Sequence, residues 1–142
     1  MKPITHEFST PASARAAYDA VATSAGIKGW WATVGTVAET VGGATELRFD
    51  KGGRIAVMNF RVDTLDPNRM VQWICTDNAN PVWKGSTLTW TIEDAGDRRV
   101  VRFVHDGLTG GGPPYDMTVD GWKVFNASLE SWLAGRGGTP SP

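Results

Sequence analysis

His105 ends a run, Arg99 to His105, in which Val101, Phe103 and His105 alternate with Val100, Arg102 and Val104. A histidine on an otherwise apolar strand face, followed by the glycine-rich segment Gly107 to Pro114, could serve as a general base or as a polar handle at a pocket mouth. It could equally be a histidine hydrogen-bonded at a sheet rim. Gln72 and Tyr115 could orient a bound molecule, and the Gly110-Gly111-Gly112-Pro113-Pro114 loop could gate it. The inward face carries no paired carboxylates and no triad, so His105 is the one catalytic candidate and a non-catalytic reading is favoured. His6 reads as structural. Cys75 shares a face with Val71 and Trp73 and reads as a small buried hydrophobe, not a nucleophile. Two dispersed histidines and one cysteine lack metal-ligand spacing, and the glycine pairs lack phosphate-loop spacing. No cofactor and no metal are expected.

The seven tryptophans matter more than any ionisable group. Each buries roughly 150–250 Å² and needs a partner for its indole N–H. They either fill a core or line a pocket. The expected inward face is Phe49, Met58, Phe60, Trp73, Trp90, Phe103 and His105, facing Trp122, Phe125 and Leu129, with Tyr115 nearby. Trp30 and Trp31 are expected to split, one inward and one near the surface. An empty void of ~200 Å³ would cost on the order of 5 kcal/mol. Any cavity among these rings is therefore small, or filled.

These side chains need elements to position them. Val119, Trp122, Phe125, Leu129 and Leu133 recur at gaps of three and four, which predicts an amphipathic helix over Tyr115–Leu133, ended by Gly135. Ile4 to Phe8 alternates as a first strand. Thr10 as N-cap and Pro11 at the first position open a helix to Val21, and a second short helix spans Ile27 to Trp31. From Val34 the apolar period is two. Strands are predicted over 46–49, 54–65, 70–76, 86–92 and 99–105, separated by turn sequences such as Asp50-Lys51-Gly52-Gly53 and Asp66-Pro67-Asn68. The fold class is α+β: an antiparallel sheet, apolar on one face, and a long closing helix.

With 142 residues, 41% hydrophobic and 20% charged, residues 1–135 read as one domain and 136–142 as a flexible tail. A net charge of −1 with scattered Lys and Arg speaks against nucleic acid and anionic membranes as partners. No apolar run reaches membrane-spanning length, and the N-terminus lacks a signal-peptide core. With one cysteine and no disulfide, a cytoplasmic location is expected.

The order strand, two short helices, antiparallel strands, long helix resembles the helix-grip fold of the START-like/SRPBCC superfamily. The branch it is most similar to takes its name from the activator of a heat-shock-protein ATPase. The matching stretches include Ser9-Thr10-Pro11-Ala12, Ala17 to Val21, Trp30-Trp31, Gly42-Gly43, Leu65 to Trp73, Val101 to Leu108, and Gly121-Trp122 through Leu129. The resemblance implies a curved sheet of about six or seven strands wrapped around the C-terminal helix, with an apolar cavity between them.

The expected function is a carrier holding a small apolar molecule, lipid-like or aromatic, in that cavity. One alternative is a cyclase/dehydratase-type enzyme using His105 as acid or base. Another is a chaperone-associated interaction module, with a chaperone or a second copy of the chain as partner.

Overall fold

The chain enters the sheet at an edge. A computed structural model describes residues 1–142, with strands β1 (Ile4–Thr10), β2 (Val34–Thr36), β3 (Ala44–Lys51), β4 (Arg54–Asp66), β5 (Met70–Asn78), β6 (Thr87–Ala95) and β7 (Arg98–Asp106). Two short helices, α1 (Ala14–Ala22) and α2 (Ser24–Trp30), follow β1, and α3 (Pro113–Leu133) closes the fold. The seven strands form one antiparallel sheet in the order β1-β7-β6-β5-β4-β3-β2, so the first strand pairs with the last. Tight turns join β3 to β4, β4 to β5 and β6 to β7, as the turn sequences predict, while a longer loop over residues 79–86 joins β5 to β6. The register of β4 against β5 shifts between Met58 and Phe60 and again between Val62 and Thr64. Such bulges bend a strand and increase its twist, here curling the sheet toward α3.

Helix boundaries follow local hydrogen bonding more closely than composition. The N-cap of α1 is Ser13, whose side chain accepts from Ala16 N, not Thr10. Thr10 Oγ1 instead accepts from Ala12 N in the preceding turn. Thr23 both ends α1 and caps α2 through Gly26 N, so α2 begins three residues earlier than the apolar pattern suggests. A Cβ at Gly26 would collide with the backbone of Asp19 and Ala20, so only glycine lets α1 and α2 meet this closely. Helix α3 takes Pro113 and Pro114 into its first turn, where a missing N–H is tolerated. It stops where Gly135 adopts φ 80°.

The core lies between the concave sheet face and α3. Trp30 and Trp31 are both fully buried, which corrects the expected split. Trp30 donates to Ala20 O at 2.7 Å. Trp31 leaves the helix at φ −108° and ψ −66°, and its ring turns back to stack on Trp30, with centroids 5.6 Å apart. Trp31 also stacks on Trp73 at 6.0 Å and meets Trp122 at 5.2 Å. Indole and phenyl rings thus fill most of the interior. The indole N–H groups of Trp31, Trp73 and Trp90 have no hydrogen-bond partner. The edge-on Trp73–Trp90 and Trp31–Trp90 pairs give these rings aromatic neighbours in place of acceptors.

The last residues, expected to be flexible, are hydrogen-bonded. Thr33 N donates to Ser141 O, Ser141 N to Trp31 O, and Thr139 N to Ser128 Oγ. No helix is long and apolar enough to cross a membrane.

Candidate functional site

The rings do not close the interior completely. A cleft of ≈ 270 Å³ remains where the N-terminal half of α3 parts from the sheet. One wall is the β3–β4 hairpin, through Phe49, Lys51, Ala56 and Met58. The loop after β5 supplies Ala79, Asn80, Pro81 and Trp83, and α3 supplies Pro114, Met117, Thr118, Gly121, Trp122 and Phe125. Period two explains the first wall, since Phe49 and Lys51 share a face of β3 as Ala56 and Met58 share one of β4. Helical spacing explains the third, because 114, 118, 121, 122 and 125 fall along one stripe. Met117 stands 62% exposed at the lip, so the cleft opens to solvent.

A hydrogen-bonded block holds the loop against α3. Trp83 Nε1 donates to Thr118 Oγ1 at 2.8 Å, and Asn80 Nδ2 donates to the same oxygen at 3.2 Å. Thr118 Oγ1 in turn donates to Pro114 O at 2.9 Å. Asn80 Nδ2 also reaches Pro114 O, and Asn80 Oδ1 accepts from Val82 N. Every polar atom of Thr118 and the Asn80 side chain is therefore engaged inside the protein.

His105 lies behind this block, fully buried. Its Nδ1 accepts from Trp122 Nε1 at 2.9 Å, and an indole N–H can only donate. The proton of the neutral ring must then sit on Nε2, which lies 2.8 Å from Ser86 Oγ. Ser86 Oγ passes the chain on to Trp83 O at 2.5 Å. One directed series of donors results, from Trp122 through His105 and Ser86 to a backbone carbonyl. Burial pushes the His105 pKa down to about 3. Trp83 packs edge-on against the imidazole at 4.7 Å and stacks on Trp122 at 5.9 Å. Cys75 is buried nearby, and burial pushes its thiol up to about 12 despite a hydrogen bond with Ser86. His6 is half-buried on β1; burial first and the charge of Lys123 second lower its pKa.

The residues expected to face a ligand separate into two groups. Phe49, Met58, Trp122 and Phe125 line the cleft. Phe60, Trp73, Trp90, Phe103 and Leu129 are sealed in the core and do not reach it. Leu129 lies one turn beyond Phe125, past the point where the helix closes on the sheet. His105 is no pocket handle and no accessible base, because both ring nitrogens are bonded inside the core. Tyr115 points away, its hydroxyl donating to Lys2 O at 3.1 Å. Gln72 lies on the opposite face of β5 from Trp73 and donates to Thr89 Oγ1. Of the segment expected to gate the cavity, only Pro114 lines it; Leu108 is buried and Thr109 N donates to Val82 O.

Sequence patterning misses Lys51, Asn80, Trp83, Met117 and Thr118. The signal for Trp83 was its type: a tryptophan in a loop carries too much apolar area to stay in water. No cluster of three His, Cys, Asp or Glu side chains converges as a metal site would require.

A curled antiparallel sheet closed by a C-terminal helix, with an apolar cleft at one end of the helix, defines the helix-grip fold of the START-like/SRPBCC class. The chain belongs to the Activator of Hsp90 ATPase homolog 1-like family, whose model matches residues 11–134. The Aha1 dimer from Colwellia psychrerythraea, solved in solution, is similar at TM-score 0.79 and 27% identity, over 96% of this chain and 98% of that one. A crystallised protein from Chromobacterium violaceum shares the fold at TM-score 0.80 and 17% identity, over 93% and 96% of the two chains. So does DynU16, a putative protein of the dynemicin biosynthetic locus, at TM-score 0.74 and 18% identity, over 94% of this chain and 47% of that one. No curated protein matches the chain.

Proposed function

We propose that the protein is a small-molecule carrier that holds an apolar, lipid-like or aromatic ligand in the cleft between the β3–β4 hairpin and the N-terminal half of α3. One observation carries the reading: an open apolar cleft of ≈ 270 Å³ persists in an interior otherwise filled with aromatic rings. Its volume lies just under the ~300–1,000 Å³ of small-molecule pockets, so the guest is small. Its walls carry no carboxylate, histidine or cysteine, and the candidate base His105 is consumed by Trp122 and Ser86. The cyclase-type alternative is therefore the weaker one. A ligand that binds only the native state must raise the melting temperature. Aromatic and medium-chain aliphatic ligands at a hundredfold excess over Kd are expected to stabilise the fold by about 2.7 kcal/mol. A flat melting temperature and unchanged tryptophan emission across such a panel would refute the carrier reading.

Self-association is a second reading. It draws on the dimer formed by the Colwellia psychrerythraea relative and on Met117 and Val124, which stand more than 60% exposed two turns apart on α3. Sedimentation of the protein with and without Val124→Lys tests it: a dimer dissociated by the substitution supports it, and a monomer at every concentration disposes of it. Binding of a chaperone by the monomer would point instead to the interaction module.

A further inference from the structure

Thr118 and Asn80 are the neutral polar side chains of the cleft, and their hydrogen-bonding capacity is spent internally. A neutral polar ligand finds little to recognise there, because displacing any of these bonds would orphan a buried group. Lys51 is different. It is the one charged side chain lining the cleft, and no carboxylate lies within 4.0 Å of its ammonium. The adjacent carboxylate, Asp50, is occupied in the turn, where its Oδ1 accepts from Gly53 N at 2.8 Å. Lys51 stands two residues beyond Phe49 on the same strand face, so its cation sits at the open rim above an apolar floor of Phe49, Met58, Trp122 and Phe125.

Resting on the carrier reading, we propose that the guest is an amphiphilic monocarboxylate, its apolar body against that floor and its carboxylate at Lys51. The arrangement suits an ionised head because the rim is wet. A carboxylate there stays hydrated while gaining a counter-charge, whereas a carboxylate at the floor would lose both water and partner. Size follows from the volume. At ~30 Å³ for each water-sized group, ≈ 270 Å³ holds about nine of them. That corresponds to an eight- to ten-carbon chain or a one- to two-ring aromatic acid. Longer lipids would have to leave their tails in solvent.

The test measures octanoate and octan-1-ol by calorimetry at pH 7, against the protein and its Lys51→Met and Lys51→Glu variants. Lys51 is exposed at a strand end, so both variants are expected to fold, which an unchanged melting curve verifies. An ion pair at a partly exposed rim predicts that Lys51→Met weakens octanoate about fivefold and octan-1-ol less than twofold. Lys51→Glu should weaken octanoate at least tenfold and leave octan-1-ol within twofold. Octanoate affinity of the unmodified protein should also fall with added salt. If Lys51→Met leaves the octanoate-to-octanol ratio unchanged while both bind, the carboxylate proposal is overturned and the carrier reading survives. If neither compound binds the unmodified protein, the carboxylate proposal is overturned, and the carrier reading falls with it when the aromatic ligands also fail to bind.

Discussion

Trp122 Nε1 lies 2.9 Å from His105 Nδ1 and donates its proton there, locking the histidine as the neutral tautomer with hydrogen on Nε2. Protonating Nδ1 would set two N–H groups against each other in a fully buried site. Burial lowers the folded-state pKa to about 3, against an ordinary value of 6.5. The unfolded chain thus binds a proton below pH 6.5 that the folded chain refuses. Stability is expected to fall as pH drops from 6.5 toward 3, by about 1.4 kcal/mol per pH unit from this group. Urea midpoints between pH 7 and pH 4.5 measure the slope. In His105→Gln the slope should flatten; an equal slope would show that other groups carry it.

Thr118 joins the loop after β5 to α3. In Thr118→Val the indole N–H of Trp83 and one amide proton of Asn80 lose their acceptor in a buried setting. The expected cost is about 1–3 kcal/mol, read as a lowered denaturation midpoint, with loss of protection from hydrogen exchange at Val82 and Thr109. Thr118→Ser keeps the hydroxyl and should stay within about 1 kcal/mol of the unmodified protein.

Much of the architecture could be seen in the amino-acid pattern. The strands alternate through β5, β6 and β7 as their burial does, and the stripe Trp122, Leu129, Leu133 on α3 is buried as its spacing requires. The cleft was less legible. Alternation points Phe60, Trp73, Trp90 and Phe103 inward correctly, but a period says nothing about how far along the sheet the helix closes down. That distance is set by the filling of the middle with Trp31, a residue that periodicity left ambiguous. Trp83 sits in a loop outside any repeat, and His105 gets its role from Trp122 and Ser86, 17 and 19 positions away.

Cys75 is buried and its thiol is held protonated by an environment that pushes its pKa up to about 12. Thiol reagents at pH 8 should leave the native protein unlabelled for as long as it stays folded and label it promptly in denaturant. Rapid labelling of the native state would mean that the β5–β6 region opens far more readily than its packing allows.

Gly121 lines the cleft from α3, and a Cβ there would meet only the ring edge of Phe125, at 3.8 Å. Gly121→Leu should fill part of the cleft and improve helix propensity together. The melting temperature is expected to hold or rise while ligand affinity drops at least tenfold. Unchanged affinity would place the bound molecule elsewhere.

Methionine methyl resonances report on the cleft most directly, since Met58 and Met117 line it and Met70 lies at the far end of β5. Titration of methyl-labelled protein with a medium-chain or aromatic ligand is expected to shift Met58 and Met117 saturably and together, leaving Met70 in place. Shifts confined to Met70, or no shift at Met58 and Met117 at saturating ligand, would contradict a carrier built around this cleft.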